Sequence, residues 1–170
     1  MIALQKNLNA LIILTIVGIL LGAYGVQFIW NEERCPLCML QRLGMICVGA
    51  SLLLNIQFGI RPSHYGLALL SSLMGGFVAL RQISLHVCPG LPEFGLPILG
   101  LSLYTWSFII FACCVLAVAL LLFLYDPREA LEERLPLNWF CKLAFVMLFL
   151  ITVANILTTY LQCGLGICEG

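Results

Sequence analysis

The chain has 170 residues, 62% hydrophobic and only 9% charged, with a formal net charge of zero. Soluble domains carry about 25% charged residues, so this composition excludes a soluble globular protein and points to an integral membrane protein. There is no basic run, and no nucleic-acid partner is expected.

A membrane span needs about 20 largely apolar residues. The first such run covers residues 8–30, after a short head containing Lys6. The small residues Gly22-Ala23-Tyr24-Gly25 also fit a cleaved signal peptide, although the run is longer than the usual apolar region of one. Next comes Arg34-Cys35-Pro36-Leu37-Cys38-Met39-Leu40-Gln41-Arg42, a C-x-x-C at the mouth of a second span over 39–59. Cys38 is expected as the first or second residue of that helix, with Arg42 one turn further in. Residues four apart share a helix face, which places the guanidinium below the thiol. A helix N-terminus and a nearby cation both stabilise a thiolate. An isolated C-x-x-C ordinarily reads as a zinc or thioredoxin-type pair, but the membrane setting argues against both.

After the turn Arg61-Pro62-Ser63-His64, a third span is expected over 65–87, with Arg81, Gln82 and His86 near its end. The loop 89–97 is too rich in Pro and Gly for a regular helix and too apolar to stand away from the membrane, so it is expected to lie flat on the surface. A fourth span covers 99–125, and the polar segment 126–138 reads as a solvated connection containing a short charged helix. A fifth span over 139–160 precedes Cys163-Gly-Leu-Gly-Ile-Cys168. The expected fold is an all-α integral membrane bundle of about five transmembrane helices, a single domain over 1–170.

Five spans put the termini on opposite sides. Lys6, Arg61, Arg128 and Arg134 fall on one side, with Lys142 just inside the last helix. The positive-inside rule makes that side cytoplasmic. The cysteines vote independently: Cys35, Cys38, Cys88, Cys163 and Cys168 all fall by the other aqueous side, where an oxidising compartment lets disulfides persist.

The Cys163–Cys168 segment holds two glycines between its thiols and can reach disulfide geometry without helical strain. It reads as a mobile pair suited to exchange with another protein, or as a static bridge closing the tail. Cys88 is either a spectator or a transient partner of the other four. Cys47, Cys113, Cys114 and Cys141 lie within spans and read as small apolar residues. Arg42 and Arg81 sit near span ends, where they either anchor the helices by snorkelling or share a pocket for a polar head group. Gln82 and His86 would add hydrogen-bonding groups to that pocket, while His86 alone also reads as an interfacial packing residue.

Two redox-capable pairs on one face, with an arginine behind one of them, suggest a dithiol relay. Thioredoxin-fold oxidants have potentials of about −120 mV against roughly −220 to −260 mV for glutathione, so electrons passing from the former to the latter would run uphill and the acceptor must be more oxidising. No nucleotide or haem motif is present, and a lipid-soluble quinone suits a chain with almost no aqueous part.

Cys35-Pro-Leu-Cys38-x-x-x-Arg42 between the first two spans, together with Arg81-Gln82 and Leu101-Ser-Leu-Tyr-Thr-Trp-Ser107, resembles the DsbB family of bacterial disulfide bond formation proteins. The resemblance extends over the first four spans. It implies an inner-membrane protein thiol–quinone oxidoreductase that reoxidises a periplasmic DsbA-like thiol oxidase and passes the electrons to ubiquinone or menaquinone. It also implies that Cys35 and Cys38 are the pair beside the quinone, that Cys38 is the sulfur meeting it, and that Arg42 stabilises the charge formed. The chain departs from the usual four-span pattern, in which the second cysteine pair lies between spans three and four. Here that loop holds only Cys88, and a fifth span brings Cys163 and Cys168 to the same side, where they are expected to replace the loop pair. Two alternatives stay open: a vitamin K epoxide reductase-like enzyme, which normally carries its C-x-x-C late in the chain, and a cysteine-ligated metal-binding membrane subunit.

Overall fold

The computed structural model describes residues 2–29, 35–87, 98–127 and 138–163. Among these residues there are five helices, α1 (Ile2–Ile29), α2 (Pro36–Phe58), α3 (Pro62–Val87), α4 (Leu103–Phe123) and α5 (Trp139–Cys163). Each contains a stretch long and apolar enough to cross a membrane, and the protein is an all-α integral membrane bundle.

The helix starts follow local chemistry. α2 begins at Pro36, earlier than the apolar run suggests. Proline is pre-set for the first helical position, and the Cys35 side chain caps the helix by accepting the Cys38 N–H. Cys38 is therefore the third helical residue. α4 starts later than expected, at Leu103. Ile98 and Leu101 exchange two backbone hydrogen bonds of 2.9 and 3.1 Å across a two-residue turn. Its central residues Leu99 and Gly100 have φ of 53° and 79°, the left-handed pair such a hairpin turn needs. Glycine adopts this freely, whereas Leu99 costs about 1–2 kcal/mol. Trp106 Nε1 donates to the Ile98 carbonyl at 2.9 Å and fixes the turn to α4.

α2 is the hub: it packs along α3, α1 and α5 and touches α4, while α3 packs along α4 and α1 along α5. One continuous core joins Ile13, Val17 and Leu20 of α1, Val48 and Leu52 of α2, Phe111 and Val118 of α4, and Ala144 and Leu148 of α5. The outer faces are apolar too, with Phe28, Phe77 and Leu120 exposed, as expected where lipid is the solvent. Lipid gives apolar helix faces no hydrophobic drive to associate, so close packing decides contacts, and small residues let backbones approach. A Cβ added to Gly44 would lie 3.2 Å from Gly75 Cα and 3.1 Å from the Phe111 ring. One added to Gly75 would overlap that ring outright. α4 thus inserts Phe111 into a groove formed by two glycines, one on α2 and one on α3. Cys114 and Cys141 belong to the core, whereas Cys47 and Cys113 are exposed.

The two bundle ends differ. One holds a buried polar set: Asn9 Nδ2 donates to Tyr65 Oη (3.1 Å), Asn55 Oδ1 accepts the Arg61 N–H (3.0 Å), and Gln5 Nε2 donates to the Leu124 carbonyl (2.6 Å). The other gathers the C-terminal parts of α1, α3 and α5 with the N-terminal ends of α2 and α4. Cys88, the 89–97 loop, most of the 126–138 connection and Cys168 lie outside the described residues. Cys163 closes α5, but its side chain also lies outside them.

Candidate functional site: a dithiol at the mouth of an apolar cavity

Cys35 and Cys38 are both half-buried thiols. Cys35 has extended backbone and its Sγ accepts the Cys38 N–H at 3.3 Å, so this sulfur, and not that of Cys38, occupies the helix N-cap. Gln82 of α3 reaches both sulfurs, its Nε2 donating to Cys35 Sγ at 3.4 Å and to Cys38 Sγ at 3.6 Å. Gln82 is itself oriented by Gln41 of α2, whose Nε2 donates to Gln82 Oε1 at 2.7 Å. The Cys35 thiol is lowered from its usual 9.0 to about 6. The largest cause is its hydrogen bond with the Cys38 side chain. Burial opposes the shift, while the backbone N–H groups of Cys38 and Leu37 and the Gln82 amide add to it. These donors stabilise the charged form of the sulfur.

Both cysteines line an apolar cavity of about 340 Å³, whose lining does not include Gln82. Its walls come from α1 (Leu20, Ala23, Val26), α2 (Met39, Met45), Ile98 of the turn, and α4 (Leu103, Tyr104, Trp106, Ile110). The polar groups are few: Gln27, Gln41, Arg42 and Ser107 join the two cysteines. Arg42 is held from α1, its Nη1 donating to Gln27 Oε1 at 2.5 Å and its guanidinium lying 4.5 Å from the Tyr24 ring centre. Tyr24 in turn donates its hydroxyl to Asn155 Oδ1 of α5 at 2.8 Å.

The four residues expected around a pocket divide. Arg42 lines the cavity beside the cysteines. Gln82 touches both sulfurs but stands behind them, outside the lining. His86, one turn on, bonds the Gln82 carbonyl through Nδ1 (2.8 Å) and stacks on Tyr104 with ring centres 5.0 Å apart. Arg81 is exposed and takes no part in the lining. Consecutive helical residues point about 100° apart, so Arg81 and Gln82 cannot both face the α2 seam. The sequence reading missed Gln27, Gln41 and Tyr24. The two glutamines carried a usable signal, since polar side chains in an apolar span ordinarily face the bundle interior. Among the described residues no group of three or more His, Cys, Asp or Glu side chains is gathered for a metal ion.

Fold and site together define a multi-pass membrane protein with a polarised dithiol between its spans and an apolar chamber. The profile of the family described as Disulfide bond formation protein DsbB matches residues 5–93, just over half of the chain. Disulfide bond formation protein B of Chromobacterium violaceum is 40% identical over 76 residues, covering 40% of this chain and 46% of the relative. That of Ralstonia nicotianae is 36% identical over 90 residues, covering 51% and 57%. Against these two, the match spans about half the relative's length. Disulfide bond formation protein B of Azoarcus sp. is 30% identical over 161 residues, covering 72% of this chain and 97% of the relative. No solved structure matches the chain significantly. The chain belongs to the DsbB family.

Proposed function

We propose that this chain is a protein-dithiol:quinone oxidoreductase of the bacterial inner membrane, working as one transmembrane domain over 1–170. It reoxidises a periplasmic thioredoxin-fold thiol oxidase of the DsbA type and passes the electrons to ubiquinone or menaquinone. The observation that carries the reading is the placement of Cys35 and Cys38 in the wall of an apolar cavity of about 340 Å³ beside Arg42. The volume lies within the roughly 300–1,000 Å³ of small-molecule sites, and the lining has their character, apolar with a few fixed polar groups. The lining fits a quinone head group: Met39, Met45 and Ile110 would hold its ring, and Arg42 and Gln27 would offer donors to its oxygens. Bound there, a quinone supplies a two-electron, two-proton acceptor.

The protein's part is thiol chemistry. A partner thiolate attacks the Cys163–Cys168 disulfide, and the partner's second thiol resolves the mixed disulfide, leaving an oxidised partner and a reduced tail pair. The tail pair then reduces the Cys35–Cys38 disulfide by the same exchange. Closing the Cys35–Cys38 S–S bond again releases two electrons and two protons, which a quinone held in the cavity would accept, with Cys38 as the sulfur facing it. Arg42, held by Gln27 and Tyr24, offsets the negative charge that develops in the cavity. The cysteine end of the bundle faces the periplasm and the N-terminus the cytoplasm.

Quinone absorbance, followed with the full chain in detergent and a reduced thioredoxin-fold partner, tests this. Reduction is expected from the wild type and Cys88→Ala, and not from Cys38→Ala or Cys163→Ala. An active Cys163→Ala with an inactive Cys88→Ala would make Cys88 the shuttle. No reduction by any form would overturn the oxidoreductase reading.

A further inference from the structure

A primary amide beside a dithiol has two faces with opposite preferences. Its NH2 group donates to a thiolate or to a disulfide sulfur, neither of which can donate back. Its oxygen instead accepts from a neutral S–H. Gln82 is within reach of the site in both senses: its Nε2 lies 3.4 and 3.6 Å from the two sulfurs, and its Oε1 lies 3.9 Å from Cys38 Sγ. Left alone, the amide could turn to suit whichever form the thiols take. It is not left alone. Gln41, 3% exposed, donates to Gln82 Oε1 at 2.7 Å, the shortest contact in the cluster, and Gln82 is 1% exposed. Gln41 stands three residues after Cys38 and so on nearly the same face of α2.

We propose that Gln41 is a positioning residue for the dithiol: by occupying Gln82 Oε1 it fixes that amide with its NH2 group toward Cys35 and Cys38, and so favours thiolate over thiol at the pair. Turning the amide would leave the Gln41 NH2 group facing another NH2 group in a buried seam. Avoiding that loss would require the Gln41 amide to turn as well, so the two amides are oriented as a pair. Stabilising the reduced, thiolate-bearing form makes the Cys35–Cys38 disulfide the stronger oxidant, as the second step of the relay requires. The Gln82 amide is one of the groups that lower the Cys35 thiol, after the Cys38 side chain and the backbone N–H groups of Cys38 and Leu37. The titratable and charged groups around the sulfurs, among the described residues, are Cys38 and Arg42 on α2, Tyr24 on α1, His86 on α3 and Tyr104 on α4. Of these, Cys38 touches the Gln82 side-chain amide, its Sγ lying 3.6 Å from Nε2 and 3.9 Å from Oε1.

The inference rests on reading Cys35 and Cys38 as the redox pair, but its test needs neither quinone nor partner. The reduced full chain in detergent is alkylated with iodoacetamide across pH, and modification of Cys35 is read by fragment mass spectrometry. The wild-type midpoint is expected at about 6. Gln82→Met is expected to raise it by about one pH unit, the worth of a hydrogen bond to a charged group. Gln41→Met, and Gln41→Asn, which is too short to reach, should each raise it by about half a unit. In a Gln82→Met background the same changes at position 41 should add nothing, because Gln41 acts only through Gln82. A midpoint unmoved by either change at position 41, or moved equally in both backgrounds, overturns the proposal. A chain inactive toward quinone that still shows the coupled shift would refute the relay and leave the amide lock standing.

Discussion

Arg42 brings a permanent charge to an apolar cavity, and its neighbours make that tolerable. A charged side chain at the centre of a span costs about 2.5–3.5 kcal/mol on insertion scales, less near a span end. A cation over an aromatic ring recovers about 0.5–2 kcal/mol according to its burial, and the bond to Gln27 adds to it. The two contacts therefore offset part of the penalty while leaving the cation on the cavity wall. The side chain is held before any ligand arrives, which is the condition for stabilising charge without reorganisation. Lysine cannot do this, because a compact ammonium lacks the planar fork that lies on a ring and donates at its edge. Arg42→Lys is expected to lower kcat/KM for quinone reduction by about tenfold or more, equivalent to about 1.4 kcal/mol, with the charge unchanged. Quinone titrations at fixed partner concentration check this, and full activity in Arg42→Lys would reduce the requirement to charge alone.

At the scale of the helix, the seam between α2 and α3 carries the site. Gln82 meets two sulfurs on another helix only because Gly44 and Gly75 let the backbones close together and Phe111 plugs the groove. Gly75→Ala puts a methyl group into the Phe111 ring, and overpacking of this kind costs about 1–3 kcal/mol. It should lower the unfolding midpoint in mixed detergent micelles, and Phe111→Leu in the same chain should restore part of the loss by making room. The seam also marks where sequence reading stops. The helices themselves were legible, since continuous apolar runs have few other meanings at this length. Cys35, Cys38 and Arg42 were legible as a cluster, because one helix places them within two turns. Gln41 lay in the same quoted stretch without a role, because its partner is 41 residues away and only packing brings them together. Gln82 was assigned to a pocket and stands behind the sulfurs instead, a distinction set by the rotation of α3.

For the molecule as a whole, the two ends of the bundle differ in chemistry. One end holds Cys35, Cys38, Gln27, Gln41, Gln82 and the cavity, and the other holds Gln5, Asn9, Asn55, Arg61 and Tyr65. On the proposed orientation, with the thiol end in the periplasm, a membrane-impermeant maleimide added to cells permeabilised only in the outer membrane should label Cys35. It should miss a cysteine placed at Arg61, which lies in the turn at the other end. Equal labelling, or the reverse pattern, would invert the orientation. Tyr24 extends the organisation to α5, since its ring holds Arg42 while its hydroxyl bonds Asn155. The fifth helix is thereby fastened to the same arginine that lines the chamber.

The glycine-and-phenylalanine seam has a consequence for the setting in which the protein works. Bilayers differ in thickness, and helical proteins adjust to them by tilting, at fractions of a kcal/mol per Å of mismatch. Helices in side-chain contact can slide or splay in response. α2 and α3 meet almost backbone to backbone with an aromatic ring wedged beside them, so they tilt together or not at all. A change of lipid then reaches the outer faces of the bundle and stops short of the sulfurs, whose donors ride on the same pair of helices.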